Sequence, residues 1–171
     1  KKHNVHATFF LTGNSMHHYF DETQRIVASG HEIGNHSYSH VRLICKRYTT
    51  IAREIETTDS LIRQAGYTKE IHVRPPHAKK LLLLPYYLEQ HNRKTILWDI
   101  EPESYDEIAS NSDAISQHVV ERARNGSIIL LHPMYNWDNE SVDAIEKIIL
   151  GLQKKGYVFV TISDLMTYEG K

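Results

Sequence analysis

The chain has 171 residues, 40% of them hydrophobic, enough for one domain with a real core. Lys and Arg number 20 against 21 Asp and Glu, a formal net charge of -1, so the basic footprint of a nucleic-acid-binding protein is missing. No apolar run reaches the roughly 20 residues of a membrane-spanning helix; the longest, Leu81 to Pro85, is short and ends in proline.

Cys45 is the only cysteine, which rules out an intrachain disulfide. No signal peptide is visible. The opening KKHNVHATFF reads as the tail of a helix running into a strand, and we expect further sequence upstream. The 12 histidines are scattered and form no terminal run.

Six short runs read as strands: His6–Gly13, His31–His36, Ile71–Pro76, Lys94–Ile100, Ser127–Pro133 and Tyr157–Ile162. They are β-branched or aromatic, several with consecutive apolar positions, as in parallel strands buried on both faces. Helical periodicity lies between them. Thr50 to Ala65 spaces Ile51, Ile55, Thr58, Leu61 and Ile62 on one face, and Gly66 stops it. Asn111 to Arg124 carries Ala114, Ile115, Val119 and Ala123, and ends at Asn125-Gly126. Ser141 to Lys155 places Val142, Ile145, Ile148, Ile149 and Leu152 together, closed by basic residues that suit the helix dipole. Ser163 opens a last helix to Tyr168. Strand–helix alternation without a linker or repeat predicts one α/β domain over residues 1–171, built on about six parallel strands.

In such a sheet the reactive residues gather at the C-terminal ends of the strands. His36 ends the second run and His40 follows it in GHEIGNHSYSH (Gly30 to His40). The pair has the spacing of two imidazole ligands for a zinc-like ion, with a polar solvated loop as the competing reading. A third ligand, a carboxylate, has to come from elsewhere. Arg74-Pro75-Pro76-His77 ends the third run on a rigid extended exit, which can aim the arginine and expose backbone N–H groups to an oxyanion; on the residues alone a simple strand terminator with a surface arginine is the favoured competing reading. His132, before Pro133, stands at a strand end where it could serve as a general acid or base, with a half-buried histidine bonded to a backbone carbonyl as the commoner competing reading. WDIEPESYD (Trp98 to Asp106) gathers Asp99, Glu101, Glu103 and Asp106 beside Trp98 and Tyr105, which reads either as carboxylates that orient histidines with an aromatic wall for a sugar ring or as an acidic, solvated loop.

In this order the motifs resemble the polysaccharide deacetylase family, the NodB homology domain of carbohydrate esterase family four, along nearly the whole chain. ATFFLTG is similar to the family's second strand. GHEIGNHSYSH resembles its second motif, RPPH its third, LWDIEPESY the place of its fourth, and ILLHP its fifth. The resemblance implies a distorted, incomplete βα barrel and a metal-dependent deacetylase removing N- or O-acetyl groups from a polysaccharide such as chitin or peptidoglycan. It implies that His36 and His40 bind the metal, most simply zinc, and that His132 protonates the leaving amine. Arg74 would orient the catalytic base. Leu130 would line the acetyl pocket, and the backbone at Pro76 and His77 would hold the oxyanion.

Three departures stand out. The family's first motif, Thr-Phe-Asp-Asp-Gly, is not in this sequence; it carries the base and the carboxylate ligand and belongs upstream. His77 stands where the third motif has an aromatic residue. Ser104 and Tyr105 stand where the fourth has Asp and Trp, which leaves Asp99, Glu101 and Glu103 as alternative partners of His132. A non-catalytic carbohydrate-binding relative is the alternative function. The family implies an extracellular or cell-envelope location. A first strand without an outer neighbour predicts association through the open sheet edge.

Overall fold

A computed structural model describes residues 2–133 and 140–168. These fall into two compact units, one within 1–97 and 160–171 and the other within 98–159.

In the first unit, β1 (Thr8–Leu11) and β2 (Glu32–Asn35) pair in parallel, Thr8 opposite Glu32 and Leu11 opposite Asn35. Helices α1 (Gly13–His18) and α2 (Phe20–Ala28) make the crossover. The parallel order continues as single bridges, Asn35 to Val73 and Val73 to Thr95. Backbone bonds from Asn35 N to the His72 carbonyl (2.8 Å) and from Arg74 N to the Asn35 carbonyl (2.9 Å) carry it. Beyond Arg74 the ladder stops for a chemical reason: Pro75 and Pro76 have no N–H to donate.

Helix α3 (Tyr48–Gln64) buries Ile51, Ile55, Thr58 and Ile62, the face expected from its spacing. Ile51 and Ile55 pack with Leu43, Val73, Leu84, Tyr87 and Leu88, the last three from α4 (Leu83–Gln90). Ile62 joins Met16, Ile33, Tyr67 and Ile71 in a second cluster. Helix α8 (Ile162–Leu165) ends the unit. Its cap is Thr161, whose hydroxyl accepts from Asp164 N, and not Ser163 as the sequence predicts. The Ser163 hydroxyl donates instead to the buried Glu32 carboxylate at 2.6 Å.

In the second unit, α5 (Asp106–Ala109), α6 (Ser112–Arg122) and α7 (Glu140–Lys154) surround a core of Ile100, Ile115, Val119, Ala144, Ile148 and Leu152. The Asn111 side chain caps α6 by accepting from Asp113 N and Ala114 N. A Cβ on Gly151 of α7 would meet the Val120 side chain at 2.7 Å, so glycine is what lets α6 approach. Among the described residues of this unit, one parallel bridge, Ile100 to Ile129, carries strand pairing.

The architecture is therefore mixed α/β with parallel pairing. Two of the six expected runs form full strands among the described residues, and the third to fifth contribute single parallel bridges. Tyr157–Ile162 takes no ladder partner among the described residues, and its last residue already belongs to α8.

Candidate active site

The His36–His40 loop in the first unit is pinned from three sides. The N–H groups of Gly13 and Asn14, opening α1, donate to the Ser37 and Tyr38 carbonyls at 3.0 and 2.9 Å. The Asn35 side chain accepts from Ser37 N at 2.8 Å and donates to the Ile55 carbonyl and to Asp59. Glu54, on the buried face of α3, accepts from Tyr38 N (3.0 Å), Ser39 N (2.8 Å) and the Ser39 hydroxyl (2.8 Å). Asp59 is itself anchored by Arg93 at 2.5 Å. Such anchoring sustains Ser37 and His40 at φ of 63° and 58°, a region that L-residues otherwise avoid.

The result is a pair of imidazoles with ring centres 4.9 Å apart. His36 Nδ1 lies 2.7 Å from the Arg74 carbonyl oxygen. A carbonyl only accepts, so Nδ1 carries the hydrogen, and in the neutral ring Nε2 holds the lone pair. This is the orientation a metal-ligating histidine takes from its surroundings. The His77 ring follows 5.0 Å from that of His40. Among the described residues no three His, Cys, Asp or Glu side chains form a complete ligand group. The donor chemistry thus fits two ligands of a zinc-like ion and leaves a third position to be supplied.

Arg74 is buried, 6% exposed. Its guanidinium lies 4.0 Å from the centre of the Phe10 ring and donates to the Ile96 and Leu97 carbonyls. Phe10 reaches this place because residue 34 is glycine, where a Cβ would meet the ring at 2.4 Å. Arg74 thus fixes His36 through its backbone while its side chain is locked by packing. Pro76 is buried and His77 is exposed at φ 56°.

In the second unit the question of which carboxylate serves His132 is answered by geometry. Asp99 accepts from Ile128 N at 2.7 Å and from the Ser127 hydroxyl at 2.9 Å. Glu101 accepts from Trp98 Nε1 at 3.0 Å. Glu103 lies 2.6 Å from His132 Nδ1, accepts from His132 N at 2.8 Å, and takes a short hydrogen bond from the Ser141 hydroxyl. Burial pushes the Glu103 carboxyl up, but hydrogen bonds from the His132 ring, Ser141 and the His132 backbone outweigh it and hold it below its ordinary value. Glu103 is therefore ionised near neutrality and His132 Nδ1 carries a hydrogen, which leaves Nε2 as the nitrogen that takes up or releases a proton. Leu130 is buried, its N–H bonded to the Ile100 carbonyl at 2.8 Å. Tyr105 is half exposed, its ring 5.2 Å from that of His118.

The structure brings His36, His40 and His77 together and ties Arg74 to them. It pairs His132 with Glu103, while Glu101 accepts from Trp98 Nε1. The anchors Asn35, Glu54 and Asp59 carry one sequence signal. Glu54 is a carboxylate on the apolar face of α3, between Ile51 and Thr58, where a charge needs specific partners.

The polysaccharide deacetylase profile matches residues 1–96. The chain belongs to the polysaccharide deacetylase family. It is 32% identical to peptidoglycan-N-acetylmuramic acid deacetylase PdaC of Bacillus subtilis, over 96% of this chain and 34% of that protein. It is 33% identical to a peptidoglycan-N-acetylglucosamine deacetylase of Bacillus cereus, over 96% of this chain and 60% of that one. The chain therefore spans between a third and three fifths of these relatives. The solved PdaC structure superposes with a TM-score of 0.84, covering 96% of this chain and 78% of that one. A pseudoenzyme of carbohydrate esterase family four from Bacillus anthracis superposes equally well, 0.84 at 25% identity over 96% and 57%.

Proposed function

We propose that this polysaccharide deacetylase chain forms most of a distorted βα barrel that hydrolyses N-acetyl, or O-acetyl, groups of a polysaccharide, using a divalent metal, most simply zinc. Peptidoglycan is the substrate favoured by the names of the relatives, and chitin is the other candidate. The same names favour work in the cell envelope or outside the cell. The single observation that carries the reading is His36, its Nδ1 hydrogen committed to the Arg74 carbonyl and its ring 4.9 Å from that of His40.

On this reading His36 and His40 hold the ion, with one further donor from outside the described set. When bound, the ion supplies Lewis acidity toward an acetyl carbonyl and toward water. Arg74 positions His36 and, by family resemblance, the base. The backbone N–H of His77, held in place by the Pro75-Pro76 pair that itself has none to give, receives the oxyanion. His132, its Nδ1 hydrogen held by ionised Glu103, keeps a proton on Nε2 for the departing nitrogen. Leu130 lines the acetyl pocket, with Trp98 and Tyr105 beside the sugar.

Zinc titration of the purified chain is the test. We expect His36→Ala and His40→Ala each to weaken zinc binding by at least about tenfold, and unchanged affinity would overturn the metal assignment. A carbohydrate-binding relative without turnover is the second reading, favoured by the pseudoenzyme among the structural neighbours. Because the base and the carboxylate ligand belong, by family resemblance, upstream of this sequence, the deciding assay is on the chain extended through the first motif: glycan retention with no acetate released there at saturating zinc would establish it.

A further inference from the structure

Two stretches of this chain carry cations and no carboxylate. Residues 36–53 contain Arg42, Lys46, Arg47 and Arg53, and the next acid is Glu54; residues 71–88 contain Arg74, Lys79 and Lys80, and the next acid is Glu89. In a chain whose charges sum to -1, this is a marked local imbalance. The fold lays the two stretches side by side. The His40 and His77 rings are 5.0 Å apart, and the Tyr48 and Tyr86 rings 6.4 Å. Arg42, Lys46, Arg47, Lys79 and Lys80 are all exposed, and among the described residues none of the five forms an ion pair.

The same face bares apolar side chains. Leu81, Leu82 and Leu83 are 52%, 80% and 44% exposed, directly after the two lysines, and Tyr86 is 52% exposed. Helix α4 turns Leu84, Tyr87 and Leu88 into the core, so its outer side has no packing role to explain the bare leucines. Exposed leucines in sequence with lysines are unlike the scattered single apolar residues of an ordinary surface.

We propose that this face docks on an anionic lipid bilayer. Lysines and arginines meet the headgroup phosphates while leucine and tyrosine side chains enter the boundary with the acyl chains, the two contributions that interfacial binding combines. A glycan strand fits less well. It would use the cations and the tyrosine rings but has no use for three adjacent isobutyl groups. The inference is independent of the deacetylase reading, because it needs neither the metal nor His132.

Co-sedimentation with phospholipid vesicles tests it, comparing neutral phosphatidylcholine with the same lipid containing about a third phosphatidylglycerol. Binding is expected on the anionic vesicles, and it should fall as added salt shortens the range of the charges. Lys79→Glu with Lys80→Glu, and Leu82→Asp with Leu83→Asp, should each lower the bound fraction roughly tenfold, with circular dichroism and zinc affinity unchanged. A single Leu82→Trp probe should blue-shift on anionic vesicles only. The proposal is overturned by absent binding, by equal binding to neutral vesicles, or by binding that neither double variant reduces. Retention on a soluble anionic glycan without vesicle binding overturns it in favour of a substrate contact.

Discussion

Ala78 sits at φ 53°, immediately after His77 at φ 56°. A left-handed residue with a Cβ costs roughly 1–2 kcal/mol, a cost that glycine escapes. We therefore expect Ala78→Gly to raise stability by about 1 kcal/mol, seen as a higher urea midpoint with an unchanged slope; a lower midpoint would show that the methyl contributes more by packing than it costs in strain. Glu103 makes the opposite kind of contribution. It satisfies the His132 N–H, the His132 ring and the Ser141 hydroxyl while largely buried. Removing it leaves the fully buried Ser141 and a backbone donor without their acceptor. Glu103→Ala should thus cost about 2–4 kcal/mol in chemical denaturation, and Glu103→Gln, which keeps an acceptor oxygen, distinctly less. Equal losses would mean that charge, not hydrogen bonding, holds this corner.

At the scale of elements, the loop that carries His36 and His40 is only as good as α3, because Glu54 binds two of its N–H groups and one of its hydroxyls. Glu54→Ala should leave both imidazoles in the sequence yet weaken zinc binding roughly tenfold or more by releasing the loop; isotherms that superpose on the unsubstituted chain would show that the α1 N-terminus and Asn35 suffice. Helix α3 was legible because Ile51, Ile55 and Ile62 repeat at helical spacing. His36, His40 and His132 were legible because they end apolar runs. Helices α1 and α2 carry the same kind of signal, with Met16, Phe20, Thr23 and Val27 at helical spacing, but spread thinly among polar residues. Helix α4 was hidden because four leucines before Pro85 read as a broken apolar run, although a proline in the first turn of a helix loses no hydrogen bond. The choice of Glu103 over Asp99 and Glu101 was illegible for another reason. Asp99 and Glu103 differ in what they meet 28 to 38 positions away, Ser127, Ile128, His132 and Ser141, while Glu101 bonds Trp98 three positions back. The short strands have a similar cause, since Pro75 and Pro76 cut the ladder just where the sequence extends it.

At the scale of the whole molecule, the first unit takes in both the start and the end of the chain, and a buried polar knot joins them. Glu32 accepts from the Thr8 hydroxyl at 2.7 Å and from Ser163 N and Oγ at 3.1 and 2.6 Å. The Thr8 hydroxyl in turn accepts from Ile162 N. His72, fully buried, places Nε2 3.1 Å from the Ser163 hydroxyl and 3.5 Å from Glu32. Burial lowers the pKa of His72 below its ordinary 6.5; Glu32 and Glu70 pull it back up, and Lys94 and Arg93 push it down. Burial likewise lowers His31, helped by His6, and His118, helped by Arg122. All three are therefore neutral in the fold over a range where the unfolded chain has begun to bind protons. In that range stability rises with pH. Their contribution is complete above 6.5 and is lost as pH falls through the lowered folded values. Glu103, held below its ordinary 4.5, adds a second loss at lower pH, once its carboxyl begins to protonate. We expect the thermal midpoint to fall on acidification from neutrality through the histidine range, and His72→Gln to flatten that first fall while leaving the later, carboxylate-linked one. Calorimetry across the range decides it. A midpoint that stays level until the carboxylates protonate would mean that Glu32 offsets burial at His72, and that the knot joining the chain ends carries no proton linkage of its own.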